Sequence, residues 1–99
     1  MPGIGHYEAI RKEIIRRLQR ERERRKLSKY ALAQRSGVSE SMLSLVERGL
    51  RNPTMELMLR MEDGIGADLG LLLKRARRTV ARAEANKLAE RKGRLKRKA

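Results

Sequence analysis

The chain has 99 residues, enough for one small domain with extensions. It contains no cysteine and one histidine, which excludes a disulfide framework and argues against a structural zinc site. The formal net charge of +14 favours a polyanionic partner such as nucleic acid. No apolar run is long enough to cross a membrane, and the first ten residues lack the pattern of a secretion signal.

The positive charge is concentrated towards the C-terminal end. Residues 74–99 hold 12 of the 26 basic residues and only 2 of the 12 acidic ones. We therefore predict three parts: a flexible N-terminus at residues 1–6, a compact domain at 7–73 and a basic extension at 74–99. For the extension taken alone, a solvated tail stays open as an alternative to a polyanion-binding segment.

The first predicted helix spans about residues 7–25 and contains a repeating apolar face. Its apolar residues recur at steps of three and four, as expected for an amphipathic helix. These residues are Tyr7, Ile10, Ile14 and Leu18. Two glycines and a proline precede the helix, so the preceding residues are predicted to be flexible.

Two short helices joined by a tight turn are predicted between residues 27 and 49. Ser28 is a candidate N-cap for the second helix, and Gly37 can end it in a left-handed conformation. Ser39 is a candidate N-cap for the third helix, which Gly49 ends. The predicted bounds are 29–36 for the second helix and 40–48 for the third.

A fourth helix is predicted at 55–64, capped by Thr54, and a fifth begins at Leu69, capped by Asp68. The composition of residues 74–93 favours a helix, whereas residues 92–99 are predicted to be a disordered basic tail. An apolar stripe on the fifth helix indicates a short coiled-coil-like surface. Its members are Leu69, Leu73, Ala76, Val80 and Ala83.

The segment at 27–49 resembles the helix-turn-helix of the Cro and phage-repressor (XRE-like) family. The sequence NPTME at 52–56 is similar to the family's entry to a fourth helix. Other matching positions are Ile14, Leu18, Arg22, Met58, Met61, Asp63, Ile65, Gly66 and Leu69. The resemblance implies an all-α, five-helix repressor-like domain that binds double-stranded DNA, followed here by a basic helical extension.

The resemblance also implies which residues contact bases: Glu40, Ser41, Ser44 and Leu45. A serine hydroxyl can hydrogen-bond to more than one base, so Ser41 and Ser44 suit this role. Leu45 offers only an apolar contact, for example with a thymine methyl group. For Glu40 two interpretations stay open, acceptance from a cytosine amino group and stabilisation of the helix dipole.

Contacts to DNA phosphates are implied at the edges of the same surface. The residues are Ser28, Lys29, Arg48, Arg51 and Asn52. Such contacts position a protein on DNA without specifying sequence. Arg22 and Glu47 match a partly buried ion pair that holds the third helix against the first.

Two departures from the family pattern stand out. Glu62 occupies a position where the family usually has a small buried alanine, which predicts either a rotated fourth helix or a carboxylate that reaches a cation. Leucines replace the usual polar residues at 45, 50, 57 and 71, which predicts an exposed apolar surface for a protein partner.

The leading functional hypothesis is a sequence-specific transcriptional regulator, or repressor, that binds DNA as a homodimer in a prokaryotic or phage-like cytoplasm. The alternatives are a protein-binding adaptor on a helix-turn-helix scaffold, an antitoxin that represses its own operon, and a sequence-indifferent nucleic-acid binder driven by residues 74–99. No cofactor, metal or membrane partner is expected. Enzymatic activity is not expected either, because no cluster of catalytic side chains is evident and His6 is predicted to lie in a flexible end.

Overall fold

The described residues form five α-helices, in agreement with the predicted all-α class. The computed structural model describes the backbone of residue 3 and residues 5–98, and side chains as far as residue 94. The helices are α1 (His6–Arg24), α2 (Lys29–Ser36), α3 (Glu40–Glu47), α4 (Met55–Ile65) and α5 (Leu69–Lys98).

The helix starts follow from local hydrogen bonding. Ser28, Ser39, Thr54 and Asp68 each accept a hydrogen bond from the backbone N–H three residues later, at 3.0–3.1 Å. Each side chain thereby satisfies a donor that the first helical turn leaves without a partner. All four predicted caps are confirmed, so the starts of α2 to α5 were encoded locally.

Two glycines end the short helices of the turn region. Gly37 has φ 75° and donates its backbone N–H to the carbonyl of Ala33, as a left-handed helix end requires. Gly49 also has φ 75°, and α3 ends at Glu47, one residue earlier than predicted. The two helices are therefore short and sharply bounded.

A single hydrophobic core lies at the centre of the bundle, with α1 running through it. The largest fully buried side chains come from four helices: Leu18, Leu32, Leu43, Val46 and Met61. Tyr7 was predicted to belong to the apolar face of α1, and this was wrong. It is 65% exposed, whereas Ile10, Ile14 and Leu18 at the same spacing are buried.

The apolar stripe of α5 packs within the chain. Leu69, Ala76 and Val80 belong to the core, and α5 packs mainly against α1. Leu72 rather than the predicted Leu73 is buried, since Leu73 is 37% exposed. The stripe as far as Val80 therefore contacts helices of the same chain.

The helix continues well beyond the stripe. The predicted disordered tail at 92–99 was wrong for its described part, because α5 runs as one helix to Lys98. Residue 99 lies outside the described residues. The boundary proposed between residues 73 and 74 falls inside α5.

Polar contacts between α1 and α5 were not anticipated. The buried carboxylate of Glu13 accepts hydrogen bonds from Arg16 at 2.7 Å and Arg17 at 2.9 Å, and Arg17 also donates to the hydroxyl of Thr79 at 2.7 Å. His6 lies in the first turn of α1, with its Nδ1 2.7 Å from a carboxylate oxygen of Glu84. His6 was predicted to lie in a flexible end, and this was wrong. Residues 1, 2 and 4 of the predicted flexible end lie outside the described residues.

Gly64 permits the close approach of α4 to α2. A Cβ atom there would lie 2.7 Å from Cδ1 of Leu32, which is fully buried, and 3.3 Å from Cβ of Ser36. Overpacking in Gly64→Ala should cost about 1–3 kcal/mol of folding free energy. The higher helix propensity of alanine should offset about 1 kcal/mol of that cost. We therefore expect a net destabilisation of up to about 2 kcal/mol. Urea unfolding followed by circular dichroism measures the change.

Gly93→Ala is the matched control, because Gly93 is also helical and nothing lies within 4 Å of a Cβ atom there. It should be neutral or slightly stabilising. Equal effects of the two substitutions would contradict the packing argument.

Candidate nucleic-acid interface

Helices α2 and α3 pack against each other and are joined by the turn at residues 37–39. The inner face of α3 is anchored in the core, where Leu43 is fully buried and Val46 is 1% exposed. Both are held there by α1 and α2, which are the principal partners of α3. The arrangement leaves the opposite face of a short, fixed helix directed outward.

The four predicted base-contacting residues occupy that outer side of α3. Glu40 and Ser41 are exposed, and Ser44 and Leu45 are half-buried. Among the side chains of residues 5–94, no cation lies within 4.0 Å of the Glu40 carboxylate. The outer face of α3 thus presents a carboxylate, two hydroxyls and one apolar side chain to solvent.

The five predicted phosphate-contacting residues lie at two edges of this face. Ser28 and Lys29 stand at the start of α2, where the Ser28 oxygen accepts the N–H of Ala31 and its own hydrogen remains able to donate. Arg48, Arg51 and Asn52 are exposed on the loop after α3. The two groups thus lie at the two ends of the helix-turn-helix segment along the chain.

Arg22 and Glu47 form the ion pair that the resemblance implied. Nε and one terminal nitrogen of Arg22 donate to the two carboxylate oxygens of Glu47 at 2.8 and 2.9 Å. The side chains are 9% and 2% exposed, so the pair is almost fully withdrawn from water. This two-pronged geometry joins α1 to the C-terminal end of α3.

The second terminal nitrogen of Arg22 donates to the carbonyl of Leu27 at 2.7 Å, which adds the α1–α2 connection to the same cluster. The hydrogen bond to Glu47 raises the pKa of the Arg22 guanidinium, against the opposing effect of burial. Arg22 therefore keeps its positive charge. Through these hydrogen bonds its side chain joins α1 to α3 and to the segment before α2.

Two further positioning contacts were missed from the sequence. The guanidinium of Arg25 donates to the carbonyls of Ile65 and Gly66 at 2.7 and 2.6 Å, closing the C-terminal end of α4. Glu62 accepts the backbone N–H of Leu69 at 2.5 Å, at the start of α5. The predicted cation partner of Glu62 was wrong, because the carboxylate instead satisfies a free donor at a helix N-terminus. The alternative of a rotated fourth helix stays a prediction.

The leucines at unusual positions divide into two groups. Leu50 and Leu71 are 62% and 42% exposed, whereas Leu57 packs against the core and Leu45 is half-buried. Leu57 was therefore wrongly assigned to the surface. Leu50 lies just after α3, close to the candidate interface.

A family model for the helix-turn-helix matches residues 18–72, more than half of the chain. The chain belongs to the helix-turn-helix family of the Cro/C1 (XRE-like) type. No curated protein and no solved structure matches it. This helix-turn-helix family binds DNA and is not enzymatic. The match leaves the first three turns of α1 and nearly all of α5 outside the family domain.

The described residues show neither a metal-binding cluster nor a membrane-spanning helix. Within the described ranges, no three histidine, aspartate or glutamate side chains are grouped so that they could hold a metal ion. In the same part of the chain, no helix is long and apolar enough to span a bilayer.

Proposed function

We propose that this helix-turn-helix protein is a transcriptional regulator that binds a specific site in duplex DNA, with α3 entering the major groove. The observation that carries the proposal is the outward face of α3. Glu40 and Ser41 are exposed there, while Leu43 and Val46 on the inner face are buried. A helix of this size fits the major groove, where base pairs present distinct hydrogen-bonding patterns.

In this proposal the outer residues of α3 recognise the base sequence, and residues at the two ends of the helix-turn-helix add affinity for the DNA backbone. Glu40, Ser41, Ser44 and Leu45 contact base edges. Ser28, Lys29, Arg48, Arg51 and Asn52 contact phosphates on either side. The buried Arg22–Glu47 pair keeps the orientation of α3 fixed with respect to these edges.

We further propose that two copies bind together in the cytoplasm on a site of two-fold symmetry. Helix α3 has eight residues and spans only a few base pairs, so a single copy of the chain gives limited selectivity for a DNA sequence. Two-fold pairing is the common means by which such domains read a longer site. Repression, including repression of its own operon by an antitoxin, would follow from occupying such a site.

A second candidate function is that of a protein-binding adaptor. The supporting observation is Leu50, which is 62% exposed beside α3, with half-buried Leu45 on the helix itself. An apolar residue in this place suits a protein partner better than a phosphate backbone.

The deciding experiment is selection of duplexes from a random pool by the purified chain at near-physiological salt. We expect enrichment of one two-fold symmetric motif. Ser41→Ala combined with Ser44→Ala should reduce the preference for that motif over random DNA by about 1–3 kcal/mol for each base pair whose contact is lost. Competition binding assays measure this preference.

Arg51→Gln is the contrasting variant. It should weaken selected and random duplexes equally and lower the slope of log affinity against log salt by about 1. An unenriched pool, together with capture of a defined protein partner through Leu50, would favour the adaptor.

A further inference from the structure

A basic cleft of about 360 Å³ lies between the middle of α1 and the loop that joins α3 to α4. Ile15, Val46 and Pro53 contribute apolar surface to it. Five cationic side chains also line it, three from α1 and two from the end of α3 and the loop. They are Arg11, Lys12, Arg16, Arg48 and Arg51.

The positive charge of this cleft is only partly compensated by carboxylates. Glu47 is the one carboxylate among the described residues that line it, and Arg22 already occupies both of its oxygens. Arg11 and Lys12 share the exposed Glu8, at 3.6 and 3.3 Å. Arg16 donates to the buried carboxylate of Glu13 at 2.7 Å. Within residues 5–94, Arg48 and Arg51 have no carboxylate within 4.0 Å. Five cations therefore face two carboxylates, Glu8 and Glu13, that Arg22 does not neutralise, and the resulting net positive charge attracts anions.

The two walls of the cleft have different origins. The loop wall contains Arg48, Arg51 and Asn52, which the proposed function assigns to DNA phosphates. The three cations of the α1 wall, at positions 11, 12 and 16, lie before Leu18 and so outside the segment that matches the family. The basic surface thus continues from the helix-turn-helix onto a part of α1 that the family domain does not include.

We propose that this cleft is a phosphate-binding site and that its occupant is the DNA backbone beside the groove entered by α3. Arg11, Lys12 and Arg16 supply the contacts that α1 adds. The proposal rests on the proposed function for its occupant. Arginine and lysine are the usual phosphate ligands, and several cations that line one cleft act together on an anion. A free polyphosphate has the same chemistry, so the test separates the two sources.

The test compares two variants that lose the same charge. Arg11→Gln with Lys12→Gln removes two cations from the cleft, and both are paired only with exposed Glu8. Arg20→Gln with Arg78→Gln is the control, because both residues are exposed and neither lines the cleft. Thermal unfolding of the full chain checks that each variant is folded.

In the DNA arm, the cleft variant should bind the selected duplex about tenfold more weakly near 0.1 M salt, and its salt slope should fall by about 2. The control should change both quantities by less than half as much. Base preference should be unchanged in both variants, because phosphate contacts do not specify sequence. Equal losses in the two variants would overturn the DNA backbone as the occupant.

In the second arm, inorganic tripolyphosphate is titrated while backbone amide signals are followed by NMR. Shifts should concentrate at residues 11–19 and 46–53 and disappear in the cleft variant alone. Loss of these shifts with a DNA response equal to the control would assign the cleft to a free polyphosphate and overturn the DNA part. Shifts spread along α5, or equal in both variants, would overturn the phosphate site itself.

The two arms also separate this proposal from the proposed function. If the native chain enriches no duplex, the regulator function fails and the DNA occupant fails with it. The tripolyphosphate arm then still decides whether the cleft binds phosphate.

Discussion

Replacing Arg22 with methionine is expected to destabilise the fold by about 3–5 kcal/mol, because it leaves the Glu47 carboxylate buried without a counter-charge. That side chain is 2% exposed and receives two hydrogen bonds from Arg22. The loss is a large fraction of the 5–15 kcal/mol typical of a small domain. Urea unfolding followed by circular dichroism measures it.

The same substitution at Arg24 is the control. Arg24 lies two residues further along α1, and its side chain is 71% exposed in its pair with Glu21. We expect a loss of about 1 kcal/mol or less there. Arg22→Met combined with Glu47→Leu should recover part of the stability, because it removes the unpaired charge. Equal losses at Arg22 and Arg24 would show that burial of the pair is unimportant.

The pH dependence of this pair has a definite sign. Hydrogen bonding to Glu47 raises the pKa of Arg22, so the folded state binds this proton more tightly than the unfolded state. Its contribution to stability is complete at every pH below the unfolded pKa and declines only as the pH rises towards the raised folded value. Titration of Arg22 therefore adds no pH dependence near neutrality.

Ala76→Asp is expected to cost at least about 3 kcal/mol, because it places a carboxylate where α5 packs within the bundle. Ala76 is fully buried, and Val80 beside it on the same face is 7% exposed. Since α5 packs mainly against α1, the variant should loosen the C-terminal helix. Thermal unfolding and amide hydrogen exchange along α5 measure the effect.

Ala83→Asp is the matched control on the same helix, two turns further on, at an exposed position. We expect a change of less than about 1 kcal/mol there. If instead Ala76→Asp changed the mass of the assembly and left the stability of the single chain untouched, the buried stripe would be an intermolecular surface.

The two predictions concern different parts of one platform. The Arg22–Glu47 pair joins α3 to α1, and the Ala76 face packs α5 against the bundle, mainly against α1. Loss of the ion pair should therefore weaken specific DNA binding as well as stability. Loosening of α5 should affect stability with a smaller effect on base preference, because α3 has its principal contacts with α1 and α2.

Much of the fold was encoded by short-range chemistry. Ser28, Ser39, Thr54 and Asp68 determine where four helices start, since each side chain bonds to a backbone N–H only three residues away. The spacing of apolar residues indicated which face of each central helix is buried. The family of the helix-turn-helix also followed from sequence, because its motif is a set of local spacings.

The sequence-based predictions for Leu73, Tyr7 and the cation partner of Glu62 were wrong, because the surroundings of these residues depend on distant parts of the chain. Most residues of the predicted stripe on α5 lie on its buried face. Packing against α1 determines that Leu72 rather than Leu73 is buried there. Tyr7 has the apolar spacing of α1, yet its side chain is exposed, while His6 in the same turn contacts Glu84 of α5. The carboxylate of Glu62 accepts a hydrogen bond from the backbone N–H of Leu69, across the α4–α5 turn.

By itself, the sequence determined the helices, their caps, the family and the list of residues suited to contact DNA, because these depend on neighbours a few positions apart. Tertiary structure alone decided which of those residues share one outward face and how deeply the Arg22–Glu47 pair is buried. It also brought Arg11, Lys12 and Arg16 beside the loop after α3, which creates the basic cleft. Such placements depend on the angles at which helices pack, and these angles are set by contacts between segments far apart in the chain.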